Sequence, residues 1–330
     1  MDAGTEPDPA GTGPAYGTAA EGRAAHSGLT GTLKAYADLL RIHFFFAWPL
    51  LFCAGLALGA TAYGVFSWTL LLHGALIGFF GFEAGLVLND FIDRDLDKRD
   101  IEHKRLTKYW RMFGRRPLTA GSVTPQAAFR LFALLFAITL FLIACLPLPH
   151  SWFVLLIMLY SYGVEALYQY VKRDQRFPVA QLLGRTDFAL FPVAGYLCAG
   201  YPDMTALAFF VFFYPFAMAH LGVNDLADIA NDRARDLKTI PVLFGLTGTA
   251  FWISGFTLLH ILGAVLFFPY IGTIARMGLI AGLLLLCAAN LIVFKGRGTD
   301  AAADAAMKAL PLFHVSMVIY AGTILLSALA

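Results

Sequence analysis

The chain has 330 residues, of which 59% are hydrophobic and 14% charged, with a formal net charge of +2. A soluble domain carries about a quarter charged residues, so this composition and a mean hydropathy of +0.69 exclude an ordinary soluble fold and indicate an integral membrane protein. No nucleic-acid partner is expected, and Cys53, Cys145, Cys198 and Cys287, all inside apolar stretches without metal-ligand spacing, exclude a zinc site or a disulfide framework.

Residues 1–28 are rich in Gly, Ala, Thr and Pro and hold no apolar core. They read as a disordered leader without a cleavable signal peptide. We divide the chain into a cytoplasmic tail, 1–37, and a membrane domain, 38–330. Nine spanning segments are predicted at approximately 43–63, 68–90, 127–147, 151–171, 181–200, 204–224, 247–267, 275–294 and 308–329. Each approaches the ~20 residues that cross a hydrocarbon core. Segment five carries Arg185 and Asp187 near its start, which read as a structural ion pair.

Basic residues follow the even-numbered segments: nine between Arg94 and Arg116, then Lys172, Arg173 and Arg176, then Arg233, Arg235 and Lys238, then Lys295, Arg297 and Lys308. The odd-numbered connections are almost free of Lys and Arg. Positive loops stay cytoplasmic, so the N-terminus and even connections are expected there, and Ala330 on the far side of the cell membrane.

Two acidic clusters end segments two and six. Asn89-Asp90-Phe91-Ile92-Asp93-Arg94-Asp95-Leu96-Asp97 and Asn224-Asp225-Leu226-Ala227-Asp228-Ile229-Ala230-Asn231-Asp232 both have the form N-D-x-x-D-x-x-x-D. Aspartates at i, i+3 and i+7 share one helix face. Three stacked carboxylates repel one another unless cations neutralise them, and hard oxygen donors suit Mg²⁺, which completes its shell with water and substrate phosphates. Two such faces opposed would hold a diphosphate. Asp90, Asp93, Asp97, Asp225, Asp228 and Asp232 are therefore the candidate metal ligands and catalytic residues, with Asn89 and Asn224 ligating or orienting them. Arg41, Arg94, Arg116, Lys172, Arg173, Arg233 and Lys238, on the same side, are the candidate phosphate-binding cations. Glu83 lies two turns before Asp90 on the same face and is a further binding candidate.

These residues carry a family resemblance. Asn89–Asp97 followed by Arg116-Pro117-Leu118-x-x-Gly121, and Asp225-x-x-Asp228-x-x-x-Asp232-Arg233 followed by Lys238-Thr239 and Leu243-x-Gly245, resemble the UbiA superfamily of intramembrane prenyltransferases over roughly residues 38–330. The resemblance implies an all-α integral membrane fold of nine transmembrane helices around a central cavity. It implies a Mg²⁺-dependent transferase that moves an isoprenyl chain from a prenyl diphosphate to a hydrophobic, typically aromatic, acceptor among membrane lipids. A glycerol-ether lipid or carotenoid acceptor is the alternative, and an anion or Mg²⁺ transporter is the competing class. Three features depart from the family pattern: Arg41-Ile42-His43 opens the first span in place of Arg-Pro, the stretch from Asp97 to Arg116 is longer and carries Tyr109, Trp110 and Met112, and Asp236 extends the second acid face at i+11.

Overall fold

The computed structural model describes residues 28–330, and among them every regular element is helical. The part of the expected tail at 1–27 lies outside the described residues. The rest of it does not fit the boundary at 37: helix α1, Leu29–Leu39, runs through that position and packs Ala35 and Leu39 into a small apolar cluster with Ala84 and Val87.

Among the described residues eight helices have the length and apolarity to cross a membrane, and the chain is a multi-pass membrane protein. They are α2 (Ala47–Tyr63), α3 (Trp68–Asp93), α5 (Pro125–Ala144), α6 (His150–Val171), α9 (Met204–Ala227), α11 (Ile240–Phe267), α12 (Thr273–Gly296) and α13 (Ala302–Leu329). Their starts are written locally. Ser67 Oγ accepts from Leu70 N, Thr124 Oγ1 from Ala127 N and Asp203 Oδ1 from Ala206 N, satisfying amides that an α-helix leaves unpaired at its first turn. Within α11 the backbone breaks at Gly245, whose φ of 71° a residue with a Cβ adopts only with strain. The predicted seventh span begins just after that break.

The fifth segment is the exception to nine uniform spans. It forms two short helices, α7 (Val179–Gly184) and α8 (Thr186–Leu197), that meet at Arg185. Twelve residues of α8 rise only about 18 Å, so it fails the length of a spanning helix while still filling the fifth position of the bundle. Three short helices complete the set: α1, α4 (Leu106–Trp110) and α10 (Ile229–Ala234).

Packing sorts the helices into inner and outer members. Helix α2 touches α3, α8 and α13, and α9 touches α8, α11 and α13, whereas α5 leans mainly on α3. In the most apolar window of α9, 67% is buried, against 22% in α5, so α9 is interior and α5 presents side chains such as Leu134 and Phe141 outward to lipid. The α2–α8 contact is backbone against backbone. A Cβ at Gly55 would fall 1.8 Å from the Pro192 carbonyl oxygen, and one at Gly195 would fall 2.0 Å from that of Phe52. Small residues permit this approach, as at helix interfaces in membranes generally. The C-terminal ends of α3 and α9 thereby meet at one end of the bundle, which brings both acidic motifs to a single cavity.

Candidate active site

The cavity encloses about 1020 Å³, its open mouth included, and is bordered by residues from both motifs: Asn89 and Asp93 from the end of α3, Asp97 from the 3-10 turn that follows it, and Asn224, Asp225, Asp228 and Asp232 from α9 and α10. The helical phase explains the membership. Asn89 and Asp93, at i and i+4, share a face of α3, and the turn after it carries Asp97 to the same side. Asp90, one residue out of phase, does not border the cavity. It is buried, and its two oxygens accept from Arg111 at 2.9 and 2.8 Å, with Arg41 at 3.3 Å.

The first acid face is closely paired with cations. Lys172 Nζ donates to Asp93 Oδ2 at 2.6 Å, and Arg173 stands 3.6 Å from its other oxygen. Arg116 donates to Asp97 at 2.6 Å and pairs with Asp100 at 3.0 Å. Arg235 Nε donates to Asp100 at 2.5 Å, while its Nη2 lies 3.2 Å from Asp97 and its Nη1 3.8 Å from Asp228. That guanidinium is the link between the two motifs.

The second face is held by dipoles. Thr239 Oγ1 donates to Asp232 at 2.7 Å, the Ile240 amide approaches Asp225 at 3.4 Å, and Asn231 donates to Asp228 at 2.7 Å. Burial pushes the Asp232 carboxyl well above the usual carboxylate range, and the neighbouring Asp225 and Asp228 push the same way. Burial also raises Asp228, against the pull of Arg235 and Arg116.

The long connection after the first motif folds back over this cavity. Asp38 of α1 accepts from the amides of Phe113 at 2.7 Å and Arg115 at 3.1 Å, which anchors the loop. Asn231 accepts from the amides of Ile101 and Glu102 at 3.0 and 2.8 Å. Helix α4 then sits across the opening: Trp110 Nε1 donates to Asn224 Oδ1 at 3.1 Å, and the Tyr109 hydroxyl bonds His314, itself 3.0 Å from His220.

A second chamber, about 700 Å³, opens off the first and shares Arg41, Phe82, Leu86, Asn89, Arg185 and Phe188 with it. Its walls include Gly81, Gly85, Met158 and Phe191, and its polar lining adds Ser161, Tyr162, Glu165 and Asp187. A hydrogen-bonded chain joins the chambers: Asn89 donates to Glu165 at 2.6 Å, Gln169 bridges Glu165 to Lys172, and Lys172 reaches Asp93.

Of the predicted cations, Arg41, Arg116 and Lys172 border the cavity. Arg173 touches Asp93 from outside and lies over the Tyr170 ring. Arg94 turns away to the Phe91 carbonyl and Asp95. Arg233 is exposed, because Arg235, at i+7 from Asp228, occupies the inward phase. Lys238 pairs with exposed Asp236 instead of reaching inward. Asp236 does not extend the acid face either: the helix ends before it, and its φ of 58° turns the chain out. Glu83 is fully buried and borders neither chamber. The expected Arg185–Asp187 ion pair is not formed; Asp187 instead accepts from the Phe188 amide and interacts with Glu165.

Arg111 and Arg235, which the sequence did not single out, complete the site as carboxylate partners; Trp110, in the departing stretch, lies over the opening, and the ring of Tyr168, which the sequence offers as a cavity candidate, lies 5.0 Å beneath Lys172. The donor chemistry of the cavity fits Mg²⁺, since its acidic lining offers only hard oxygens. Among the described residues no three acidic or histidine side chains yet converge on one point, because the first face is drawn onto its guanidinium and ammonium partners.

A profile of the UbiA prenyltransferase family matches residues 48–317. Among curated proteins, the digeranylgeranylglyceryl phosphate synthase of Natronomonas pharaonis is 29% identical over 195 residues, 57% of this chain and 61% of that protein. The 4-hydroxybenzoate octaprenyltransferase of Vibrio parahaemolyticus is 29% identical over 221 residues, 64% of this chain and 70% of that protein. The chain thus spans about three fifths to seven tenths of the length of these relatives. A UbiA homolog from Archaeoglobus fulgidus, solved with DMAPP and Mg²⁺, superposes with a TM-score of 0.64 at 18% identity, covering 88% of this chain and 98% of that one. The apo UbiA homolog from Aeropyrum pernix gives 0.65 at 18% identity, covering 84% and 98%. At that identity the likeness establishes the shared fold.

Proposed function

This chain belongs to the UbiA prenyltransferase family, and from that premise we propose that it transfers an isoprenyl chain from a prenyl diphosphate to a hydrophobic acceptor within the cell membrane. The observation that carries this reading is the joining of two unlike chambers: one lined by both acid faces and their cations, the other largely apolar, with shared walls. The relatives divide between an aromatic acceptor and a glycerol-phosphate lipid. Aromatic transfer is our leading reading, supported by the ring-sized apolar walls of Phe82, Phe188 and Phe191. The run of basic connections on one side supports a topology with the acid faces and the N-terminus cytoplasmic and Ala330 on the far side, in which α7 and α8 together count as the fifth crossing.

Asn89, Asp93, Asp97, Asn224, Asp225, Asp228 and Asp232 would hold Mg²⁺, which when bound neutralises the leaving diphosphate as a Lewis acid. The chain's own groups do the rest. Lys172, Arg116 and Arg235 exchange carboxylate oxygens for phosphate oxygens, retaining charge-assisted hydrogen bonds. The faces of Trp48, Phe82 and Phe188 border the path between chambers and tolerate an allylic cation. Helix α4 excludes water that would otherwise capture that cation. Asp90 keeps α3 and the covering loop together through Arg111.

The test is to incubate the purified protein with Mg²⁺, radiolabelled prenyl diphosphates of several lengths and a lipid extract of its host. A labelled lipid product that disappears with EDTA is expected, and its mass identifies the acceptor. Bound diphosphate that is never converted, at any length, would overturn the reading in favour of a binding or transport protein.

A further inference from the structure

The cations of the two chambers are of two kinds. Arg41, Arg116, Lys172 and Arg235 each hold a carboxylate, at 3.3, 2.6, 2.6 and 2.5 Å respectively. Arg185 holds none. Among the described residues its guanidinium has no carboxylate within ion-pair distance and donates no hydrogen bond, and its Nε is enclosed without a partner. Its nearest contact is the ring of Tyr168, 5.6 Å away, and the carboxyls of Asp187, Glu165 and Asp225 act on it through space without reaching ion-pair distance. It borders both chambers, at the point where they join.

Its place in the fold sharpens this. Arg185 is at once the C-cap of α7 and the N-cap of α8, so the interruption of the fifth span sets a cation at depth in the bundle. A guanidinium inside a membrane domain is paired directly or engaged by a ligand, and here the surrounding carboxyls favour the charge without occupying its donors. Those free donors suit an anion.

We propose that Arg185 is a substrate-binding residue that takes an oxygen of the donor's diphosphate from the side of the second chamber. This rests on the donor assigned above. A carboxylate or phosphate of the acceptor would satisfy the same guanidinium, but it would face Glu165 and Asp187, two carboxyls that interact with each other at the wall of that chamber. On the other side the nearby acids are those that Mg²⁺ neutralises, so an added anion is favoured there. Arg185 then closes the diphosphate site opposite Lys172 and Arg116, and its planar fork spans two oxygens in a way that a lysine does not.

The experiment titrates detergent-solubilised protein with inorganic pyrophosphate and with dimethylallyl diphosphate, each with Mg²⁺, by calorimetry. Wild type, Arg185→Met and Arg185→Lys are compared. Arg185→Met should weaken both ligands about tenfold or more, Arg185→Lys by less, and neither variant should lower the ligand-free melting temperature, since no hydrogen bond or ion pair is lost. Unchanged affinity for both ligands would overturn the proposal. So would unchanged donor affinity with a raised KM for the acceptor alone, which would move the anion to the acceptor. If Arg185→Met fails to fold, wild-type affinity in Arg185→Lys overturns it as well. Absence of any prenyl diphosphate binding by wild type would instead remove the functional reading on which it rests.

Discussion

Asp90, Asp93 and Asp97 stand within 3.6 Å of six cationic groups, from Arg41, Arg111, Arg116, Lys172, Arg173 and Arg235. Asp225 and Asp232 meet a backbone amide and a hydroxyl. The two motifs have the same spacing and opposite electrostatic solutions. The cations converge on the first face from several parts of the chain: Arg41 before α2, Arg111 and Arg116 from the long connection that folds back over its own motif, Lys172 and Arg173 after α6, and Arg235 from the link after the second motif. That short link turns its arginine chiefly toward the first face, while Thr239 and Ile240 supply dipoles to the second. The first face is therefore self-sufficient without metal, whereas the second holds carboxyls raised by burial and has the greater demand for an ion. An internal repeat in sequence need not be a repeat in energetics.

The comparison breaks most visibly at Asp90. Asp90→Asn should leave the buried Arg111 guanidinium uncompensated and cost about 3–5 kcal/mol of stability, read as a lower denaturation midpoint in detergent. Adding Arg111→Met should recover part of that loss, because the two share one interaction. Stability equal to wild type in the single variant would mean that Asp90 acts as a free carboxylate after all. Asp232→Ala should do the reverse. Removing one ligand from the face held mainly by dipoles is expected to lower kcat by about a hundredfold or more, with ligand-free melting unchanged or raised. Full turnover in that variant would remove the second face from the chemistry. The smallest effect belongs to Asp95, inside the first cluster by sequence but exposed and paired only with Lys98 and Arg94. Asp95→Ala should leave both activity and melting temperature as they are. A loss of turnover there would show that the motif's face is wider than its helical phase implies.

Much of this arrangement was legible in the residues. Apolar runs marked eight spanning helices and the place of the ninth element, and the doubled N-D-x-x-D-x-x-x-D marked asparagines and aspartates that, Asp90 apart, border one cavity. What escaped was set by tertiary contact or by small changes of phase. Asp90 leaves the cavity because Asn89, Asp93 and Asp97 fix the inward face one residue earlier. Arg235 displaces Arg233 for the same reason, and its i+7 spacing from Asp228 was the available signal. Trp110 was marked only as part of an unusual stretch, and the role of Arg111 was hidden because nothing local says where a long loop returns; Asp38, 75 residues before Phe113, decides it. The Arg185–Asp187 pair is not made although both side chains line the second chamber, because Asp187 is taken up by the Phe188 amide and Glu165.

The seam between α2 and α8 has a consequence for anyone who wishes to change what this protein accepts. Phe188 and Phe191, which wall the second chamber, ride on a helix whose carbonyls already touch the glycines of its neighbour. That backbone has no slack, so a bulkier molecule is admitted by trimming side chains and not by spreading helices. Laboratory evolution of the pocket should draw its diversity from Met158, Phe188 and Phe191 and hold Gly55 and Gly195 constant.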